Sequence, residues 1–280
     1  MTEQNLSRRN FLELTAAFIG GGASVAACGR LENKPYILPE KLPDAVNSIH
    51  YGVVFVSDAV VPPVGVTLSG VKIGPRHILT AGHAFRNQNG SIFPQATCID
   101  NAVIQGYSSN GHLIESKAKK IASSYNIKDS VADVALIETV NPINELPSFS
   151  LSDTPIISGE GLYFINYEPT SYGAPRYPTQ YERLLRYPAM FGGIALPTTS
   201  TSIPHDTLVQ LGLKSYGRVP DSRIRQGASG GAVADRNGFL VGISDDESNN
   251  GDYAYVQPVT QNLLRALYTK LQTNPDACVQ

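Results

Sequence analysis

Gln226-Gly227-Ala228-Ser229-Gly230-Gly231-Ala232-Val233 places one serine among three glycines and two alanines, with an apolar run behind it. Glycine reaches backbone conformations closed to other residues and leaves room for a ligand beside the main chain. A nucleophilic serine needs both. Its hydroxyl must be accessible, and backbone N–H groups must point at the oxyanion formed during acyl transfer. A glycine turn leading into a strand has the same composition, so this stretch alone leaves both readings open.

Two other stretches decide between them. One is Ile78-Leu79-Thr80-Ala81-Gly82-His83-Ala84-Phe85, and the other is Ala132-Asp133-Val134-Ala135-Leu136-Ile137. In chain order, His83, Asp133 and Ser229 supply a base, an acid to orient it and a nucleophile. Here the sequence resembles the trypsin-like (chymotrypsin-fold) serine proteases of the bacterial exported type. The motifs T-A-A-H, D-I-A-L and G-D-S-G-G read here as Thr80-Ala81-Gly82-His83, Asp133-Val134-Ala135-Leu136 and Gly227-Ala228-Ser229-Gly230-Gly231. The resemblance runs from residue 46 to the C-terminus and is faint between the motifs.

The resemblance implies an all-β fold of two six-stranded antiparallel β-barrels packed together, with a C-terminal helix. It implies a serine endopeptidase working through an acyl-enzyme intermediate on protein or peptide substrates, without cofactor or metal. His83 would be the base, Asp133 would hold the imidazole, and the N–H groups of Gly227 and Ser229 would form the oxyanion hole. Arg223 falls where the family has its pocket-base residue, and Ser244 matches a serine that contacts the catalytic aspartate. Arg223 would favour an acidic side chain, whereas Asp245, Asp246, Glu247 and Asp252 would favour a basic one. Both groups also read as solvated loops. Ala228 replaces the aspartate that pairs with a newly cut N-terminal amine in zymogen-activated members, so activation by N-terminal insertion is not expected. Gly82 replaces the usual alanine. His77 is the runner-up base and Asp129 the competing acid.

The rest of the chain sets the context. Its 280 residues are 42% hydrophobic and 16% charged, enough for a packed core. A net charge of −2 argues against nucleic acid as a partner, because phosphate contacts need a surplus of Lys and Arg. With 25 glycines and 19 prolines, short strands and turns fit better than a helical bundle. The histidines are dispersed and form no metal-ligand pattern.

Near the N-terminus, Arg8-Arg9 precedes a modest apolar segment that ends in Val25-Ala26-Ala27-Cys28. Residues 1–28 thus read as a twin-arginine-type signal peptide with a lipobox. Cys28 would then become a lipidated first residue, anchoring an exported protein in the periplasm or cell envelope. Pro35, Pro39 and Pro43 give residues 29–45 the character of an extended linker. Residues 46–147 form the first half of the body, with His83 and Asp133. Residues 148–280 form the second, with Ser229. Cys98 and Cys278 are either a disulfide, which an oxidising compartment would allow, or two buried thiols.

Strands are expected at 51–56, 64–73, 78–81, 103–106, 114–121, 134–137, 161–165 and 239–244, where Val, Ile and aromatic residues gather. Lys117, Lys119 and Lys120 read as a solvated face. Residues 142–147 read as the crossing between halves, and 167–188 as a Tyr/Pro/Arg-rich surface loop. Leucines 263, 264, 267 and 271 recur at helical spacing, so residues 259–271 are expected to be a helix. Two other functions remain open in the sequence: a catalytically silent homologue that binds a peptide or partner, and a lipoprotein in which the Ser229 stretch is only a turn.

Overall fold

The run Val134-Ala135-Leu136-Ile137 is apolar at every position because both faces of its strand are covered. Side chains alternate across a strand, so two covered faces demand two cores. Ala135 and Ile137 join Val54, Ile78, Ile104 and Ile121 in one cluster. Val134 and Leu136 join another with Leu79, Tyr163, Ile165 and Leu240. A third cluster gathers Leu162, Phe164, Val233 and Val256.

These clusters follow from the topology. The computed structural model describes residues 41, 43–58, 67–82, 85, 102–124, 132–167, 189–195, 207–215, 228–247, 253–273 and 275. The first barrel comprises β1 (Val53–Asp58), β2 (Thr67–Gly74), β3 (His77–Ala81), β4 (Ala102–Tyr107), β5 (Leu113–Ser123) and β6 (Val134–Thr139), closed in the order β1-β2-β3-β6-β5-β4. The second comprises β7 (Gly161–Asn166), β8 (Ala189–Ala195), β9 (Thr207–Ser215), β10 (Ala232–Ala234), β11 (Leu240–Glu247) and β12 (Tyr253–Pro258), closed as β10-β11-β12-β9-β8-β7. Counted from the first strand of each barrel, the two orders are the same, so one topology occurs twice. The pairings are antiparallel throughout. The architecture is therefore the pair of six-stranded barrels that the motifs imply.

The Ala135 cluster lies within the first barrel and the Leu162 cluster within the second, whereas the cluster of Val134, Leu136, Tyr163 and Leu240 draws residues from both barrels and forms the seam. Strand β7 repeats the logic of β6. Leu162 and Phe164 join the second-barrel cluster, while Tyr163 and Ile165 join the seam.

Two helices brace the seam. Helix α1 (Asp44–Ile49) starts after Pro43 and buries Val46 there. It begins inside the stretch read as linker. Proline is tolerated at a helix start, where no intrahelical N–H bond is lost. Helix α2 (Gln261–Thr273) buries Leu267 and Leu271 in the same cluster, with Leu263 and Leu264 partly covered. Lys270 Nζ donates to Ser123 O at 2.9 Å, tying α2 to β5 of the first barrel.

Several sequence expectations shift. Tyr51 and Gly52 lie in a 3-10 turn, His50–Gly52, so the first strand starts at Val53. A Cβ on Gly52 would lie 2.7 Å from Pro147 O, which explains the glycine at this close crossing. Strands β8, β9, β10 and β12 are not among the strands expected from the sequence. Gly192 and Gly193 interrupt β8, and Pro258 ends β12; both residue types weaken a strand signal. Tyr167 is buried in the seam rather than lying on a surface loop, and residues 168–188 fall outside the described set. Of the lysines on β5, Lys117 and Lys119 are exposed as expected, and Lys119 pairs with Glu138 at 3.0 Å. The crossing at 142–147 is anchored by Ile143 and Leu146, both buried in the first-barrel cluster.

Candidate active site

The Ser229 turn is clasped between the barrels. Gly231 N–H donates to Ala228 O at 3.0 Å and closes the turn. Ser69 N–H, on β2, donates to Ser229 O at 3.0 Å. On the other side, Gly230 N–H donates to Ser244 O of β11 at 2.6 Å, and Ser244 N–H donates to Gly231 O at 2.9 Å. Consecutive peptide groups are thus held by strands of different barrels.

Ser69 is itself fixed. Thr80 Oγ1 donates to its carbonyl at 2.7 Å, and its hydroxyl accepts the Tyr167 N–H at 2.9 Å. Burial holds the Tyr167 phenol above its ordinary pKa, and therefore neutral.

The glycines answer to this crowding. Gly230 has φ 84°, and a Cβ there would lie 2.3 Å from Ser69 O and 2.4 Å from Thr80 Oγ1. Side-chain and backbone demands coincide, so no other residue fits. At Gly231 a Cβ would lie 1.7 Å from the amide of Asn166. With its nitrogen toward the carbonyls, that buried amide donates to Ile165 O at 3.1 Å and Ala228 O at 3.3 Å. The glycine-rich composition thus serves close packing as well as access.

Asp133 enters from the first barrel. Ala81 pairs with Val134 across β3 and β6, and Gly82 N–H donates to Asp133 O at 3.3 Å. His83 follows Gly82 directly in the chain. The Asp133 N–H donates to Gln257 Oε1 of β12 at 2.9 Å, and the residue is 9% exposed. Ser124 supports the next peptide, its hydroxyl accepting the Val134 N–H at 3.0 Å. The turn and this strand end are neighbours, since a Cβ on Gly230 would also lie 2.7 Å from Ala81 N.

The Ser229 hydroxyl is half-buried and donates to Asp245 O at 2.9 Å. Ser244 is buried on β11, and its hydroxyl has no hydrogen-bond partner among the described residues. The contact with Asp133 implied by the resemblance is thus not among the hydrogen bonds described. His77 starts β3, the length of that strand away from Gly82, and its ring meets the Tyr268 ring edge-on at 4.9 Å. Burial lowers its pKa, with Glu138 opposing the shift. It packs under α2 rather than beside Ser229.

His83, Arg223, Gly227, Asp129, Asp252, Cys28, Cys98 and Cys278 lie outside the described residues. Among the described residues, no group of three or more His, Cys, Asp and Glu could hold a metal ion. Ser69, Asn166 and Gln257 escaped the sequence reading. The only available signal was a polar residue inside an apolar strand run.

The trypsin-like peptidase domain model matches residues 68–243, a span containing His83, Asp133 and Ser229. The chain belongs to this trypsin-like peptidase family. It is therefore a serine-type endopeptidase, a hydrolase whose substrates are proteins or peptides. Solved structures share the fold. A serine endoprotease from Yersinia pestis is 21% identical with a TM-score of 0.53, over 85% of this chain and 69% of that one. A Glu endopeptidase is 14% identical with a TM-score of 0.55, over 80% and 92%. An HtrA-type protease bound to a tripeptide is 18% identical with a TM-score of 0.52, over 82% and 64%. No curated protein sequence matches.

The clasp predicts a contrast between two glycines. Gly111 has φ 77° but nothing within 4 Å of an added Cβ. Gly111→Ala should cost about 1–2 kcal/mol, the left-handed penalty alone. Gly230→Ala meets fixed backbone as well and should exceed about 4 kcal/mol, a loss reserved for severe steric faults. Urea unfolding of both variants checks this, and equal midpoints would refute the clasp.

Proposed function

We propose that this trypsin-like peptidase hydrolyses peptide bonds by acyl transfer to Ser229. His83 removes the serine proton and later returns it to the leaving amine. Asp133 holds the imidazole tautomer and stabilises the imidazolium. What supports the reading is the seam itself: the Ser229 turn abuts the strand end that leads through Gly82 to His83 and pairs with Asp133.

The resemblance implies the donors for the oxyanion, the N–H groups of Gly227 and Ser229. Gly230 N–H is engaged by Ser244 O, and Gly231 N–H by Ala228 O. Each donor to the oxyanion is worth about 2.7–4 kcal/mol in the transition state. In the resting rotamer the Ser229 hydroxyl donates to Asp245 O, so it must release that carbonyl before its proton passes to His83.

Ala228 is buried against Leu162, Phe164 and Val233. An alanine has no carboxylate to pair with a new N-terminal amine. We read the site as formed without N-terminal insertion. For substrate contact we propose Arg223, Ser244 and Asp245.

We also propose that residues 1–28 direct twin-arginine-type export, that Cys28 carries a lipid anchor, and that the linker at 29–45 tethers the two catalytic halves, 46–147 and 148–280, to the envelope membrane. Among the described residues no helix is long and apolar enough to cross a membrane. Mass spectrometry of the mature N-terminus should find acylated Cys28. An intact Met1 or Thr2 would refute export processing.

A fluorophosphonate probe tests the catalytic reading. The folded protein lacking residues 1–28 should label at Ser229, and Ser229→Ala should not label. The rate should fall below about pH 6.5, where a histidine of ordinary pKa protonates and stops acting as a base. A folded protein that does not label would favour the silent homologue.

A further inference from the structure

Asp133 is held from two sides, and the two holds come from different barrels. Its carbonyl accepts from Gly82 N–H at the end of β3. Its N–H donates to Oε1 of Gln257 on β12, 124 positions further along the chain. Gln257 is 4% exposed, and its Nε2 donates to Pro258 O at 3.2 Å. Each end of the amide therefore has a partner of the right polarity, which fixes its orientation. Turning it over would set a donor against the Asp133 N–H and an acceptor against a carbonyl.

The strand that carries Gln257 also bears on the nucleophile. Gln257 pairs with Ile243 in the β11–β12 ladder. The next residue on β11, Ser244, accepts the Gly230 N–H, and Asp245 O accepts the Ser229 hydroxyl. One strand pair therefore holds the Ser229 turn directly and holds Asp133 through a single side chain.

We propose that Gln257 is a positioning residue for the triad, locking the Asp133 main chain to the second barrel so that its carboxylate and the Ser229 turn move as one body. The inference rests on the triad reading of Asp133. Sub-ångström placement matters in such a site, since a displacement of about 1 Å costs on the order of 100-fold in rate.

The test uses two variants of near-native size. Gln257→Met keeps the buried volume and removes the acceptor. Gln257→Glu keeps an acceptor for the Asp133 N–H; buried, it is held protonated, and its O–H replaces Nε2–H as the donor to Pro258 O. Fluorophosphonate labelling of Ser229 is measured against pH, with thermal melting alongside. The Met variant should stay folded and label roughly 10- to 100-fold more slowly. Its acid limb should move to lower pH, because a loosely held carboxylate stabilises the imidazolium less. The Glu variant should recover most of the rate and the wild-type limb. A folded Met variant with native rate and limb overturns the proposal. So does a loss that matches the unfolded fraction and that Glu does not restore. If the Met variant fails to fold, Gln257→Leu takes its place with the same readings: slower labelling and a limb at lower pH support the proposal, and native rate and limb overturn it. Wild-type protein that does not label at Ser229 removes the triad reading and this inference together. Labelled wild type with unaffected variants removes this inference alone.

Discussion

The peptide that joins Ser229 to Gly230 is the constraint on which the rest of the molecule depends. Its carbonyl is bound by Ser69 of β2 and its N–H by the carbonyl of Ser244 on β11. A peptide group is planar and rigid, so two strands bonded to its opposite sides are held at a fixed spacing. Ser229, the proposed nucleophile, thus sits on the joint between the barrels, and its geometry inherits the precision of that joint. Gly230 is the cost of this arrangement, because its left-handed backbone and filled surroundings exclude every side chain.

The joint is stable because the seam is a core in its own right. Strands β6 and β7 give alternate residues to it, and α1 and α2 close it with Val46, Leu267 and Leu271. The proposed catalytic groups come from two barrels and need such a third core, since separate cores would leave the barrels free to drift. Asp133 shows the same economy. It comes from the first barrel, yet a second-barrel glutamine satisfies its main chain, so burying that N–H costs no unpaired donor.

The sequence was legible where chemistry restricts residue choice. Nucleophile, base and acid allow few substitutes, so Ser229, His83 and Asp133 stand out with their short flanking motifs as the proposed triad. Strands with dense β-branched runs, such as Val134 to Ile137, were equally plain, as was the leucine spacing of α2. Legibility failed where the signal is tertiary. Gln257 matters for what it touches 124 positions away, and no local pattern encodes that. Glycines within β8 and the proline ending β12 blurred their alternation. The helix at Asp44 followed three prolines that spoke for an extended chain. The glycines around Ser229 were read as access for a ligand; the structure adds that Gly230 and Gly231 answer to Ser69, Thr80 and Asn166 pressing on the turn.

The central claim is that the seam assembles base and nucleophile into one unit. Peptidase turnover of Ser229→Ala, His83→Ala and the double variant tests it most directly. Groups that act together lose nearly everything with the first removal, so the double variant should be little worse than either single one. Losses that add in free energy would contradict the account, as would Ser229→Ala retaining turnover near that of the wild type.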